Sequence, residues 1–296
     1  MSGRTGGGWP LGGADLAVLA VALVWGASYP VAKGALAHAP VAVLIFYRFL
    51  STAVVMSAIA RRELRTAPRG DRLVGLVLGA ILFSIFLTET WGIALTSATN
   101  AALLISLCTV LTPMLEFGLR RRLPPVGVLA GAGVAVAGVA VLAGGMTALG
   151  TGDLLILAAA GLRAVMVVAT KRLTAGRALS STALTALQAM TVASLMLVLV
   201  LAGSGPGALL VSAGPEFWGA VAFLSLFCTI AAFYVQNAAV RRTSPTRVSF
   251  LMGTEPVFGA ALAALLLAEP VTAMTLVGAG LIVGGTFAGL AALGRG

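Results

Sequence analysis

The chain has 296 residues, of which 59% are hydrophobic and only 9% charged, and its 19 basic and 9 acidic residues leave a formal net charge of +10. A water-soluble domain carries roughly 25% charged residues, so this composition argues against a soluble enzyme, a nucleic-acid binder and a disordered tail. Lipid is the solvent that fits, because a crossing helix needs about 20 mostly apolar residues. We therefore expect an all-α, multi-pass membrane protein.

In chain order, the Gly-rich Met1–Gly13 end leads into an apolar run without a convincing cleavage site, which reads as a retained first span. Apolar runs set against charged or Gly/Pro breaks predict ten spans, at 13–34, 40–60, 73–95, 98–119, 125–144, 153–172, 180–202, 215–240, 244–267 and 270–293. Connectors such as Ala37–Ala39 and Ala268–Glu269 are short, so neighbouring spans form tight hairpins. Cys108 and Cys228 both sit in apolar stretches and imply neither a disulfide nor a metal framework; no cofactor is expected.

The basic residues orient the spans. Alternate loops hold Arg61, Arg62, Arg65, Arg69 and Arg72; Arg120, Arg121 and Arg122; Lys171, Arg172 and Arg177; and Arg241, Arg242 and Arg247. With Arg4 and Arg295 at the ends, 16 of the 19 basic residues share one side, and Lys33 stands alone on the other. The positive-inside rule makes the rich side cytoplasmic, with both termini inside. Arginine outnumbers lysine 17 to 2, a compositional hint of a GC-rich bacterial genome and hence of a bacterial inner membrane.

The halves 1–147 and 148–296 match each other in order. Asp15-Leu16 and Lys33 correspond to Asp153-Leu154 and Lys171. Gly131, Gly133 and Gly138 recur as Gly278, Gly280 and Gly285, and Pro113 as Pro256. Five spans per half is an odd number, so the second copy enters from the opposite side. Inverted repeats of this kind build secondary transporters, with substrate near the midplane where the repeats meet.

The chain resembles the EamA-type branch of the drug/metabolite transporter superfamily. The resemblance rests on Trp25-Gly26-Ala27-Ser28, Ala94-Leu95-Thr96-Ser97, Ala101 and Pro113 in the first half. In the second it rests on Ala239, Thr243-Ser244, Glu255-Pro256, Glu269-Pro270 and the Gly278/Gly280/Gly285 run. It implies a ten-helix carrier of small metabolites, often an amino-acid or drug exporter, with spans 1–4 and 6–9 around a central cavity and spans 5 and 10 behind. The halves differ where Glu269 faces the acid-free Arg120-Arg121-Arg122-Leu123-Pro124, and where Arg163 stands for Trp25, so the site is expected to be asymmetric.

Ionisable groups within spans carry the most information, since each costs roughly 2.5–3.5 kcal/mol at the bilayer centre. Four qualify: Arg48, Glu89, Arg163 and Glu255. Arg48 and Glu89 lie at similar depth and can pair, as a scaffold or in a substrate or proton role. Arg163 and Glu255 fall near mid-membrane, where they either recognise a zwitterion or neutralise each other. Trp25, Ser28 and Tyr29 share a face of span 1 suited to an aromatic or apolar side chain, although Tyr29 also fits an interfacial anchor. Tyr234, Gln236 and Asn237 in span 8 form an inner gate or helix-to-helix hydrogen bonds. The polar run Asn100, Ser106, Thr109 and Thr112 reads as structural, and His38 as an exposed loop residue. Gly127 and Gly131, with Gly280 and Gly284, supply small-residue faces for packing span 5 on span 10, or for a homodimer contact.

The sequence holds no metalloprotease, nucleophile-elbow, P-loop or dinucleotide motif. The expected function is secondary export of small metabolites, aromatic or large neutral amino acids first among them, by alternating access. The alternative is a proton-coupled exporter of organic cations working through Glu89 or Glu255. The expected partners are a small-molecule substrate and the lipid bilayer, with no nucleic acid, as a monomer or homodimer.

Overall fold

A computed structural model describes residues 12–96, 98–144, 150–211, 213–267 and 270–294. Arg4, Ser97, Ala268, Glu269 and Arg295 lie outside the described residues, as does the side chain of Tyr29. The described chain is helical throughout: α1 (Gly13–Ala35), α2 (Val41–Ile59), α3 (Arg61–Thr66), α4 (Arg69–Leu95), α5 (Ala98–Ser106), α6 (Cys108–Gly118) and α7 (Val126–Leu142). The second half holds α8 (Thr151–Leu173), α9 (Ser181–Gly203), α10 (Pro215–Ser225), α11 (Ala232–Arg242), α12 (Pro245–Met252), α13 (Glu255–Leu267) and α14 (Ala273–Leu293). A π-wound stretch, Leu226–Ala231, joins α10 to α11 in one continuous rod.

Seven of these helices are long and apolar enough to cross a membrane: α1, α2, α4, α8, α9, the rod Pro215–Arg242, and α14. Their outer faces carry exposed Leu16, Val54, Ile59, Leu73, Val198 and Leu276. Such side chains on the surface of a folded chain belong in contact with lipid. The other three predicted spans differ from simple rods. Span 5 is the shorter α7, and spans 4 and 9 are each broken in two. The break in span 9 has a local cause. Pro256 has no N–H to give the Met252 carbonyl, so α12 stops and the chain restarts with the Thr254 carbonyl accepting from Val257 and Phe258, at 3.0 and 3.4 Å. Pro30, by contrast, sits inside an unbroken α1. The basic loop after α2 winds into the short α3, which the sequence reading did not anticipate.

Local sequence fixes where the helices begin. Asp15 and Asp153 each sit at the third helical position and take the cap residue's N–H, Gly12 and Gly150, both at 2.6 Å. Ser180, Ser244 and Thr272 cap α9, α12 and α14 through their hydroxyls.

Small residues decide the tightest helix pair, α7 against α14. Backbone meets backbone here. A Cβ built on Gly131 would stand 2.5 Å from the Gly289 nitrogen, and one on Gly285 2.5 Å from the Ala135 nitrogen. Gly278 and Gly138 close on each other in the same way. The seam uses the expected Gly127 and Gly131, which meet Ala292 and Gly289, and corrects the pair on α14: Gly280 and Gly284 meet nothing within 4 Å, whereas Gly278, Gly285 and Gly289 make the contact. We expect Gly285→Ala to destabilise the detergent-solubilised protein by about 1–3 kcal/mol through overpacking. Gly284→Ala, in open space, leaves the melting temperature unchanged or raises it slightly. Equal melting of the two variants contradicts this packing.

Elsewhere α2 packs on α9, α4 on α8 and α9, α1 on α13, α11, α10 and α12, and α6 on α8 and α12. Polar latches tie the two halves at the end that carries the basic loops. Arg247 grips Asp15 through two hydrogen bonds of 2.7 and 2.8 Å. Glu116 accepts from the Thr246 N–H and hydroxyl at 2.8 and 2.7 Å. Glu63 takes the N–H and hydroxyl of Ser180, both at 2.6 Å, and Arg177 pairs with Asp71 at 2.8 Å. At the opposite end, Asp153 accepts from the Thr96 hydroxyl and from Asn100 Nδ2, the latter at 2.9 Å.

Candidate functional site

A cavity of about 700 Å³, counting its open mouth, lies among α1, α2, α4, α6, α8, α11 and α12. Trp25, Phe86 and Phe233 give it aromatic walls; Leu82, Ile85, Met166, Val167 and Met252 add aliphatic surface. Its polar lining comes from Ser28, Arg48, Glu89, Cys108, Thr112, Arg163, Gln236 and Ser249.

Arg163 organises one end. Its guanidinium reaches Glu89 through two hydrogen bonds, 2.7 Å from Nη2 and 3.2 Å from Nε. Glu255 stands 3.8 Å from Nη1, and the Trp25 ring lies under the guanidinium carbon at 5.2 Å. The fork of an arginine suits this bidentate hold, and the ring face adds a cation–π attraction. Two carboxylates on one guanidinium leave the cluster net acidic when all three are ionised.

Arg48 lines the cavity from α2. Its Nε donates to Thr229 Oγ1 at 2.6 Å and its Nη2 to the Cys228 carbonyl at 3.1 Å. Both acceptors belong to the π-wound stretch, whose wider turn frees backbone groups from the usual ladder. The Trp25 indole N–H donates to the same Cys228 carbonyl at 2.9 Å. The guanidinium lies 4.8 Å above the Phe86 ring. The aromatic walls pack on one another, Phe86 to Phe233 at 6.1 Å and Phe233 to Trp25 at 5.5 Å.

These contacts replace the expected ion pairing. Arg48 and Glu89 do not bond to each other; Glu89 turns to Arg163, because α4 packs along α8 and only slightly against α2. Glu255 remains with Arg163, as a second and longer contact. Trp25, Ser28, Arg48, Glu89 and Arg163 line the cavity, with Glu255 behind Arg163. Two predicted positions lie elsewhere. Tyr234 is 45% exposed on the outer face of α11. Asn237 is buried against α9, donating to Gln188 Oε1 at 2.9 Å and to Thr185 Oγ1 at 3.1 Å. Of the span 8 trio, Gln236 is the one that reaches the cavity.

Several lining residues escaped the sequence reading, with helical spacing as the signal that finds them. Phe86 lies one turn before Glu89, Phe233 one turn before Gln236, and Met166 one turn after Arg163. Cys108 and Ser249 had no such marker; Ser249 donates to the Cys108 carbonyl at 3.1 Å across the α6–α12 contact.

A multi-pass helical chain with a charged, aromatic cavity between its helices defines a small-molecule membrane transporter rather than an enzyme. The EamA-like transporter family matches the sequence twice, over residues 12–144 and 150–289, and the chain belongs to that family. A comparison with curated proteins gives no significant match. Among solved structures, one titled "Crystal structure of protein" is similar with a TM-score of 0.77 at 22% identity, over 95% of this chain and 96% of that one. That likeness establishes the fold.

Proposed function

We propose that this secondary transporter exports small zwitterionic metabolites, aromatic or large neutral amino acids first among them, across a bacterial inner membrane. Ten spans, arranged as two inverted five-helix repeats with both termini cytoplasmic, alternate access to the cavity. The observation that carries the reading is the cavity lining: two guanidiniums and the Glu89 carboxylate beside an aromatic wall, with Glu255 behind Arg163. Such a lining offers an acidic end for an ammonium, basic groups for a carboxylate, and ring faces for a side chain.

Pairwise correspondences support the inverted arrangement. Asp15 and Asp153, 138 residues apart, cap the first helix of each half and latch onto the other half, at opposite ends of the molecule. The broken spans restart at Cys108 and Glu255, 147 residues apart, and both restarts meet the cavity region. Interrupted helices at matching positions of two halves are a mark of a transporter's binding site. Arg163 and Trp25, also 138 apart, stack on each other between the halves. Alternating access then consists of opening the Asp15–Arg247 end while the Asp153 end closes, and the reverse.

Counterflow in proteoliposomes tests the proposal. Vesicles loaded with one unlabelled amino-acid class are expected to accumulate labelled phenylalanine or leucine without a proton gradient. A second reading, a proton-coupled exporter of organic cations, draws on the two carboxylates that share Arg163. It is preferred if amino-acid counterflow is absent and an imposed pH gradient drives an organic cation instead.

A further inference from the structure

Arg163 and Arg48 face the same cavity but differ in how their charge is met. Arg163 has a bidentate carboxylate at 2.7 Å and a second at 3.8 Å. Arg48 is 9% exposed and, among the described residues, makes no ion pair. Its protein partners are one hydroxyl and one backbone carbonyl. A guanidinium carries five N–H donors, so these two bonds leave three without a protein acceptor among the described residues, on a residue that lines the cavity. Burying a cation with no carboxylate bonded to it is costly, and an arriving anion offsets that cost.

The side chain is also held in place. The π-wound stretch supplies both acceptors, Phe86 supports the guanidinium from below, and Ser225 Oγ donates to the Arg48 carbonyl at 3.1 Å. A guanidinium fixed on several sides, with donors still available, is the geometry of a preorganised anion anchor. Glu89 and Glu255 are gathered around Arg163, and their charge repels an anion from that guanidinium.

We infer that Arg48, and not Arg163, receives the carboxylate of the transported molecule, so that substrate lies along the Phe86–Phe233–Trp25 rings with its ammonium toward Glu89 and Glu255. The assignment rests on the zwitterion reading above and gives it a direction. Arg163 then serves to hold the two carboxylates in place.

Cys108 provides a readout in the unmodified protein. It lines the cavity and is partly exposed, whereas Cys228, the second of two cysteines, is fully buried. A methanethiosulfonate reagent should therefore label Cys108, and a bound ligand should slow the labelling. We would titrate protection with phenylalanine, phenylalaninamide, phenethylamine and 3-phenylpropionate. Phenylalanine is expected to protect at concentrations about tenfold or more below those of the amide and the amine, the loss of a charge-assisted hydrogen bond. In Arg48→Gln that preference disappears.

Three results overturn the inference, and they are distinguishable. If phenylalanine and its amide protect equally in the unmodified protein while amino-acid counterflow proceeds, the anchor is wrong and the exporter reading stands. The same holds if Arg48→Gln, shown folded by its elution profile and melting, keeps the preference for the carboxylate. If phenethylamine protects and no amino acid either protects or exchanges, both readings fall together. Where Arg48→Gln does not fold, Arg48→Lys takes its place: it is expected to shrink the preference for the carboxylate, and an unchanged preference overturns the assignment.

Discussion

Arg163→Ala is expected to abolish amino-acid counterflow and to destabilise the detergent-solubilised protein by about 3–5 kcal/mol, the range for removing one partner of a buried charge cluster. The side chain is 21% exposed, so solvent screens it little. It holds Glu89 at 2.7 Å and Glu255 at 3.8 Å, and covers the Trp25 ring. Removing it sets two buried carboxylates against each other and uncovers an aromatic wall. Glu89→Gln is the milder change: it reduces the negative charge and leaves Glu255 near the guanidinium, so more stability remains than in Arg163→Ala. Thermal melting and counterflow on the two variants separate the contributions. An Arg163→Ala protein that melts and exchanges like the parent contradicts the central role given to this cluster.

The second large effect comes from Gly26, the residue after Trp25. It marks the crossing of α1 and α13, where a Cβ would stand 2.8 Å from the Gly259 nitrogen and 3.0 Å from the Glu255 carbonyl oxygen. Both neighbours are backbone and cannot rotate aside. Gly26→Leu must push α13 away, carrying Glu255 off Arg163 and opening the cavity wall. We expect overpacking of at least about 1–3 kcal/mol and loss of most exchange. The opposing glycine makes an internal control. A Cβ on Gly259 meets its nearest atom, the Gly26 oxygen, at 3.5 Å, an ordinary contact. Gly259→Ala therefore keeps its activity and melts no lower than the parent. Comparable damage at the two positions indicates a crossing different from the one described.

The unequal latches bear on the transport cycle. The Asp15 end is held by a bidentate ion pair and by Glu116 on the Thr246 hydroxyl and N–H. The Asp153 end is held by Thr96 and Asn100, which are uncharged. Arg247 and Asn100 stand 147 residues apart, the offset that relates the glycine runs of the two halves. At both ends a carboxylate accepts charge-assisted hydrogen bonds, and the Asp15 end adds the attraction of an oppositely charged guanidinium. Under the alternating access proposed above, that added attraction favours a closed basic end.

How much of this was legible in the sequence depends on what each feature requires. The lipid environment was legible because it follows from composition: a chain with 9% charged residues has too few to face water. The starts of the first and sixth spans were legible to within about two residues because an apolar run is a local feature, whereas their capping by Asp15 and Asp153 is seen only in the structure. The four ionisable residues within spans stood out for the same reason, since their cost depends on depth, which position along an apolar run provides. Gly26 was visible as part of a motif, but not as a crossing point.

Pairing needed the tertiary structure. Depth along a helix says nothing about the direction in which a side chain points around it. Arg48 and Glu89 lie at matching depth, yet α2 turns Arg48 toward the π-wound stretch while α4 turns Glu89 toward Arg163 on α8. Tyr234, Gln236 and Asn237 are near neighbours in sequence, and the helical turn sends them to the outer surface, the cavity and the α9 interface respectively. Glycine spacing likewise matched several faces of α14, and only the approach of α7 selected Gly278, Gly285 and Gly289. The sequence by itself determined the solvent, the helices and the charges available to a site. Which charges meet, and which is left facing the cavity, was decided by the rotation and packing of helices far apart in the chain.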